Sequence, residues 1–262
     1  MKNSTPQKGL LTMAANSIGL PEDIPLRSLE AVRTADLLIF EEDKPARAVL
    51  KAAGIHQSYL KYNEQHQNDT LIELEKTLLE GKSVVYMSDQ GCPTLEDPGI
   101  NILQTARHCK AQIKVIPGPS SLTAALSACP FPSKSFEFHG FPPRDEVERT
   151  QFLKNMLGRN KLQVIMDTPY RLKRVIETCA TVFTEHCRGF LALDISGPDE
   201  NYLLGPFSEL QKELESVDKK LNFVLIIYPS QIKKKTTPQR APSKMANQGS
   251  DKRGYNKPRR RY

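Results

Sequence analysis

Two absences frame the chain. No two cysteines stand as a CxxC pair, and no apolar run is long enough to cross a bilayer. The five cysteines, Cys92, Cys109, Cys129, Cys179 and Cys187, are odd in number, so neither a disulfide framework nor a metal site is indicated. A reducing cytoplasm is the expected compartment. The opening residues, MKNSTPQKGLL, hold no apolar signal core, and no membrane partner is expected. Internal repeats are absent. Acids run short in one place: from Gln231 onward eleven Lys or Arg face a single acid, Asp251, so this segment carries +10. The rest, with 26 basic and 29 acidic residues, carries −3, and the overall +7 therefore belongs to a tail. Thr236–Tyr262 also has almost no large aliphatic residues, and disorder is its expected state.

What is present is an alternation of strand and helix. Gly9–Ala15 and Asp36–Phe40 read as strands, the first followed by a turn-rich loop, Asn16–Asp23, and the second by Glu41-Glu42-Asp43. Three acids at a strand end are either solvated, as the start of the next helix, or functional. Helices are expected over Ile24–Thr34, Ala46–Ala53 and Thr70–Leu79, with a weak strand at Ser58–Tyr62 and a polar loop at Asn63–His66. Ser83–Met87 is a β-branched run too short for a helix. It leads into SDQGCPTLEDPG, in which glycines permit close approach of backbone to a ligand and prolines fix loop shape. A helix over Ile100–Lys110 and a strand at Ile113–Ile116 follow, then Pro117-Gly118-Pro119-Ser120-Ser121 and a small-residue helix, Leu122–Cys129. Two loops thus leave the carboxyl ends of two parallel strands, the edge at which open α/β sheets bind ligands.

Cys129–Pro143 holds four prolines and a short aromatic strand, Ser135–His139, and reads as a junction. Beyond it, helices at Asp145–Leu157, Tyr170–Phe183 and Ser208–Val217 alternate with strands at Leu162–Met166, Gly189–Asp194, Tyr202–Gly205 and Asn222–Tyr228, a pattern suited to a mixed sheet. The expected organisation is two α/β domains, 1–130 and 131–230, and a disordered basic tail, 231–262.

At Ser88–Gly99 and Pro117–Ser121 the chain resembles the tetrapyrrole-methylase-like superfamily of S-adenosylmethionine-dependent methyltransferases. It is most similar to the branch of small-subunit ribosomal RNA ribose 2′-O-methyltransferases. SDQGCPTLEDPG stands for that branch's SDAGTPxxxDPG, and PGPSS followed by LTAALSA for its PGP, two small residues and a small-residue helix. SFEFHGFPP, DLLIFEED, Asn63-Glu64 and MDTPYR match in register, so the resemblance spans roughly residues 9–229. Departures are ANSIGL where the branch has TPIGN, Cys92 for Thr, Leu221-Asn222 for Gly-Glu, and the basic tail, which together suggest a diverged paralogue.

The resemblance implies a donor, S-adenosylmethionine, in a cleft between the two domains, surrounded by Asp89, Gly91, Cys92, Leu95, Ser120, Ser121, Met166 and Asp167. Ser120 and Ser121, at a helix start, either bind ligand or cap their own helix. Asp97 is read as a helix cap. A ribose hydroxyl is a very weak acid, and its methylation benefits from a carboxylate. Glu42 and Asp43 are the candidates, with Arg47, Asn63 and Arg171 as substrate contacts. No metal is needed. The tail, through Lys233–Lys235, Arg253–Tyr255 and Arg259–Tyr262, suits contact with RNA, ribosomal by resemblance, and the family implies a homodimer. A small-molecule methylase, such as one acting on a tetrapyrrole, and a non-catalytic RNA- or ribosome-binding protein on the same scaffold are the alternatives.

Overall fold

The computed structural model describes residues 8–183 and 187–228. The basic tail expected over 231–262, with its proposed RNA contacts, lies outside the described residues. The first half builds a wholly parallel sheet from β1 (Leu10–Ala14), β2 (Leu37–Phe40), β3 (Leu60–Lys61), β4 (Ser83–Met87) and β5 (Gln112–Ile116), in the order β3-β2-β4-β1-β5. Helices α1 (Leu26–Thr34) and α2 (Asp43–Ala53) cover one face, burying Val32, Val49 and Leu50 against Leu38 and Phe40. Helices α3 (Gln67–Leu79) and α4 (Ile100–His108) cover the other, where Leu74, Leu78 and Ile102 pack on Leu11, Ile39 and Tyr86. A sheet clothed on both faces needs strands that are apolar throughout, which is how LLIF and SVVYM read.

The second half is a mixed sheet. β6 (Phe136–Phe138), β7 (Leu162–Asp167), β8 (Arg188–Leu193), β9 (Asn201–Pro206) and β10 (Phe223–Tyr228) run in the order β6-β7-β10-β8-β9. β6 pairs parallel to β7, and the remaining pairings are antiparallel. Helices α6 (Glu146–Lys154), α7 (Leu172–Val182) and α8 (Phe207–Glu215) cover one face. The other face receives α5 (Ser121–Ala128), whose fully buried Ala125 lies among Leu162, Val164, Phe190 and Val224. Small residues on α5 permit this close seat, so the helix that begins at Ser121 joins the two sheets.

Element boundaries shift by a few residues from the sequence expectation, and two of the shifts have a clear physical reason or bear on the site. α2 starts at Asp43 rather than Ala46, because a proline in the first helical turn, here Pro45, costs no intrahelical hydrogen bond. The helix expected from Tyr170 opens as a 3-10 turn, Pro169–Arg171, before α7. β5 is an edge strand of the sheet, with Val115 62% exposed.

Candidate active site

The loops after β1, β2, β4 and β5 meet at the carboxyl edge of the parallel sheet. Asn16, buried just past β1, locks two of them together. Its Nδ2 donates to the carbonyls of Ser88 at 3.2 Å and Asp89 at 2.9 Å, and its Oδ1 accepts from the Ser17 amide at 2.8 Å. The backbones pair as well, Asn16 N–H to the Gly91 carbonyl at 2.8 Å and Gly91 N–H to the Ser17 carbonyl at 3.0 Å. Gly91 has φ of 66°, in the left-handed region that favours glycine. The same first loop reaches the second half, where Leu20 N–H donates to the Ser196 carbonyl at 2.9 Å and the Ser196 hydroxyl donates to Asp23.

Between the halves lies a cleft of about 230 Å³. Of the eight residues expected around the donor, Gly91, Cys92, Leu95, Ser120, Ser121, Met166 and Asp167 line it, and Asp89 does not. Ser120 occupies the N-cap position of α5, yet among the described residues its side chain makes no capping hydrogen bond. Its hydroxyl is left to the cleft. Cys92 Sγ rests 3.7 Å from the Pro119 carbonyl. Asp167 is buried, which pushes its carboxyl up, while Arg171 Nη1 at 3.1 Å acts against this. Its Oδ2 has no well-aligned hydrogen-bond donor among the described residues.

A second volume of about 600 Å³ adjoins the first. The two share Gln90, Asp97 and Asn222 in their walls, and the second adds Asn16, Glu41, Lys44 and Asp89. Glu41 is buried, and burial pushes its carboxyl up to about 7, against the pull of the Tyr86 hydroxyl 2.7 Å away. Its other oxygen accepts from the Asp89 amide at 3.3 Å. Burial, then the carboxylates of Asp89 and Glu96, raises Asp97 to about 6. Asp97 is not the cap of α4: Gly99, with φ of 124°, holds that position.

The residues expected to act on substrate fall into two places outside both walls. Asp43 accepts from the Tyr59 hydroxyl at 2.8 Å and pairs with Lys61 at 3.3 Å, and these partners hold its carboxyl below the usual range. Arg47 lies on the same helix and faces Tyr59. Glu42 is exposed and accepts from Asn63 Nδ2 at 3.3 Å. Glu42, Asp43, Arg47 and Asn63 therefore form one surface cluster beside β3. Arg171 sits in the second half, donating to the carbonyls of Pro142 at 2.9 Å and Pro143 at 2.6 Å. Sequence reasoning passed over Glu41, Lys44 and Asn222. Glu41 had a signal, the triple acid at a strand end, but nothing in it told which acid turns inward.

The chemistry of the first cleft fits a sulfonium donor. Its described lining holds three carboxylates, Glu96, Asp97 and Asp167, and no Lys, Arg or His. Apolar walls from Ile18, Leu95, Phe141, Met166 and Val224 suit a heteroaromatic base. The carboxylates complement the positive groups of such a ligand, and the apolar walls complement its flat ring system.

Residues 11–211 match the model of the family described as Tetrapyrrole (Corrin/Porphyrin) Methylases. A Thermotoga maritima protein named Ribosomal RNA small subunit methyltransferase I is 30% identical over 207 residues, which cover 79% of this chain and 92% of that one. A protein of the same name from Xylella fastidiosa is 30% identical over 227 residues, covering 86% and 82%. Among solved structures, uroporphyrin-III-C-methyltransferase from Thermus thermophilus superposes with a TM-score of 0.59 at 18% identity, over 84% of this chain and 94% of that one, a likeness of fold.

Proposed function

From its membership of the tetrapyrrole methylase family, to which this S-adenosylmethionine-dependent methyltransferase belongs, we propose that the chain methylates small-subunit ribosomal RNA at a ribose 2′-hydroxyl. The observation that carries the reading is the likeness, over most of the chain, to proteins named for that substrate. The donor brings an electrophilic methyl group on a positively charged sulfur. The chain's own part is positioning and exclusion of water, which in a two-reactant displacement supplies much of the rate. Gly91, Cys92 and Leu95 hold the donor from the β4 loop, Ser120 and Ser121 from the start of α5, and Met166 and Asp167 from the end of β7. The larger volume beside them takes the acceptor nucleotide, with Lys44 toward a phosphate.

The surface cluster of Glu42, Asp43, Arg47 and Asn63 serves as an outer RNA contact, and the tail over 231–262 adds sequence-independent attraction to the backbone. The protein works in the cytoplasm as a homodimer. The exposed Val115 on the open edge of β5 supports a partner on that side. Residues 1–130 and 131–230 act as two domains that hold the donor between them.

The test is methyl transfer from labelled S-adenosylmethionine to small ribosomal subunits that lack methylation. Alkali is then applied, because a 2′-O-methyl group blocks cleavage at its nucleotide. Label in an alkali-resistant dinucleotide supports the proposal. Label on a base overturns the ribose assignment. Transfer to a tetrapyrrole with none to RNA overturns the substrate.

A further inference from the structure

We propose that Asp97 accepts the proton of the hydroxyl that is methylated; the inference rests on the RNA ribose reading above. Its first support is position. Among the described residues Asp97 is the one carboxylate that lines both the donor cleft and the adjoining larger volume. The reacting oxygen must lie between donor and acceptor sites, and so against the wall they share.

The second support is that Asp97 is held less firmly than its neighbours: no cation pairs with it among the described residues, and the Ser88 hydroxyl is the side chain that stabilises its charge. Glu41 has both oxygens occupied, by the Tyr86 hydroxyl and the Asp89 amide. Asp43 is held by Tyr59 and Lys61, and Asp167 by Arg171 and the Thr168 amide. Glu96 packs so closely over Gly140 that a Cβ there would collide with its Oε1. Asp97, by contrast, is half-buried at the cleft wall and does not cap α4.

The third support is the set of charges around it. Burial, Asp89 and Glu96 push Asp97 up, and the Ser88 hydroxyl pulls it down. Glu41 faces it from just past β2 and Tyr86 from β4, and Lys44 on α2 lines the larger volume. The outcome, about 6, leaves the group ionised at neutral pH yet more basic than an ordinary aspartate, as general-base catalysis favours. In the step itself the acceptor O–H bond breaks and its proton passes to the Asp97 carboxylate. The oxygen forms a bond to the methyl carbon. The carbon–sulfur pair leaves with sulfur, which becomes a neutral thioether. Asp97 later returns the proton to water.

The experiment measures steady-state transfer to unmethylated small ribosomal subunits, with the subunit concentration varied, from pH 5 to 9, for the wild-type chain and for Asp97→Asn. Donor binding is followed by calorimetry on both proteins. The wild type is expected to lose kcat/KM as pH falls through about 6. Asp97→Asn is expected to lose about 100-fold in kcat and that acidic limb, with the donor Kd changed by less than about tenfold. Three results would overturn the inference: a variant that transfers within about threefold of wild type, one that loses donor affinity while keeping kcat at saturation, or a wild-type profile flat through pH 6. The flat profile decides the matter even where Asp97→Asn does not fold. Wild-type protein that methylates no RNA overturns the ribose reading itself, and the inference with it.

Discussion

The hydroxyl of Tyr86 lies 2.7 Å from Glu41 Oε1 and 2.9 Å from the Pro98 carbonyl. One phenolic proton serves two acceptors here, and the ring is fully buried against Gly99, where a Cβ would approach Tyr86 Cε1 to 2.7 Å. When Glu41 is neutral, its own proton can go to the phenol oxygen, and the phenol then donates to Pro98. Both contacts are satisfied in that state alone.

This arrangement sets a pH dependence. The Glu41 carboxyl titrates at about 7 in the fold against an ordinary 4.5. Between those values the folded chain holds a proton that the unfolded chain has lost, so stability falls as pH rises through this window, by roughly 3 kcal/mol at most for this group. Glu41→Gln removes the titration. Its melting temperature should match the wild type near pH 5 and exceed it at pH 8. Thermal melts at the two values check this, and parallel slopes would contradict it.

Asn16→Ala strips the buried Ser88 carbonyl and the half-buried Asp89 carbonyl of their donor. A cost of about 2 kcal/mol in stability is expected. The β4 loop carries Gly91, Cys92 and Leu95, so donor affinity should fall about tenfold as well, since small misplacements weaken aligned contacts. Denaturant unfolding and calorimetry on one preparation measure both effects.

Arg171→Ala should act first on the fold. It leaves the Asp167 carboxylate buried without its cation, at a cost of about 3 kcal/mol, and it frees the Pro142 and Pro143 carbonyls. The loss should shrink as pH falls and Asp167 takes up a proton. Urea unfolding at pH 5 and pH 8 tests the difference.

Lys44→Ala should raise KM for RNA with little change in kcat. It should also reduce the slope of log affinity against log salt by about 1, as expected when one fewer phosphate is neutralised. A salt titration of RNA binding provides the measurement.

Much of this organisation could be read directly. Ser83–Met87 is bounded by Gly81 and the loop residues after it, and its bounds as a strand agree with the structure. The β4 and β5 loops are marked by glycine and proline, and of the six donor residues that the resemblance placed in them, five, Gly91, Cys92, Leu95, Ser120 and Ser121, line one cleft. The acids were harder to place. β2 is buried on both faces, through Leu38, Ile39 and Phe40, so no alternation indicated which of Glu41, Glu42 and Asp43 points inward. Asp97 precedes a helix and reads as its cap, but capping fell to Gly99, whose φ of 124° fixes the turn two residues later. Pro45 hid the first turn of α2, and with it the position of Asp43 on a helix rather than in a loop. These choices depend on contacts between residues far apart in the chain, which local pattern does not carry.

The most direct test of the cleft is titration of S-adenosylmethionine into the full chain at neutral pH, beside a chain carrying Ser120→Tyr and Ser121→Tyr, with both proteins shown to melt cooperatively. One site per chain, abolished in the double variant, is the expected result. A folded wild-type chain that binds no donor, or a double variant that binds it equally well, would contradict a donor held between the β4 loop and the start of α5.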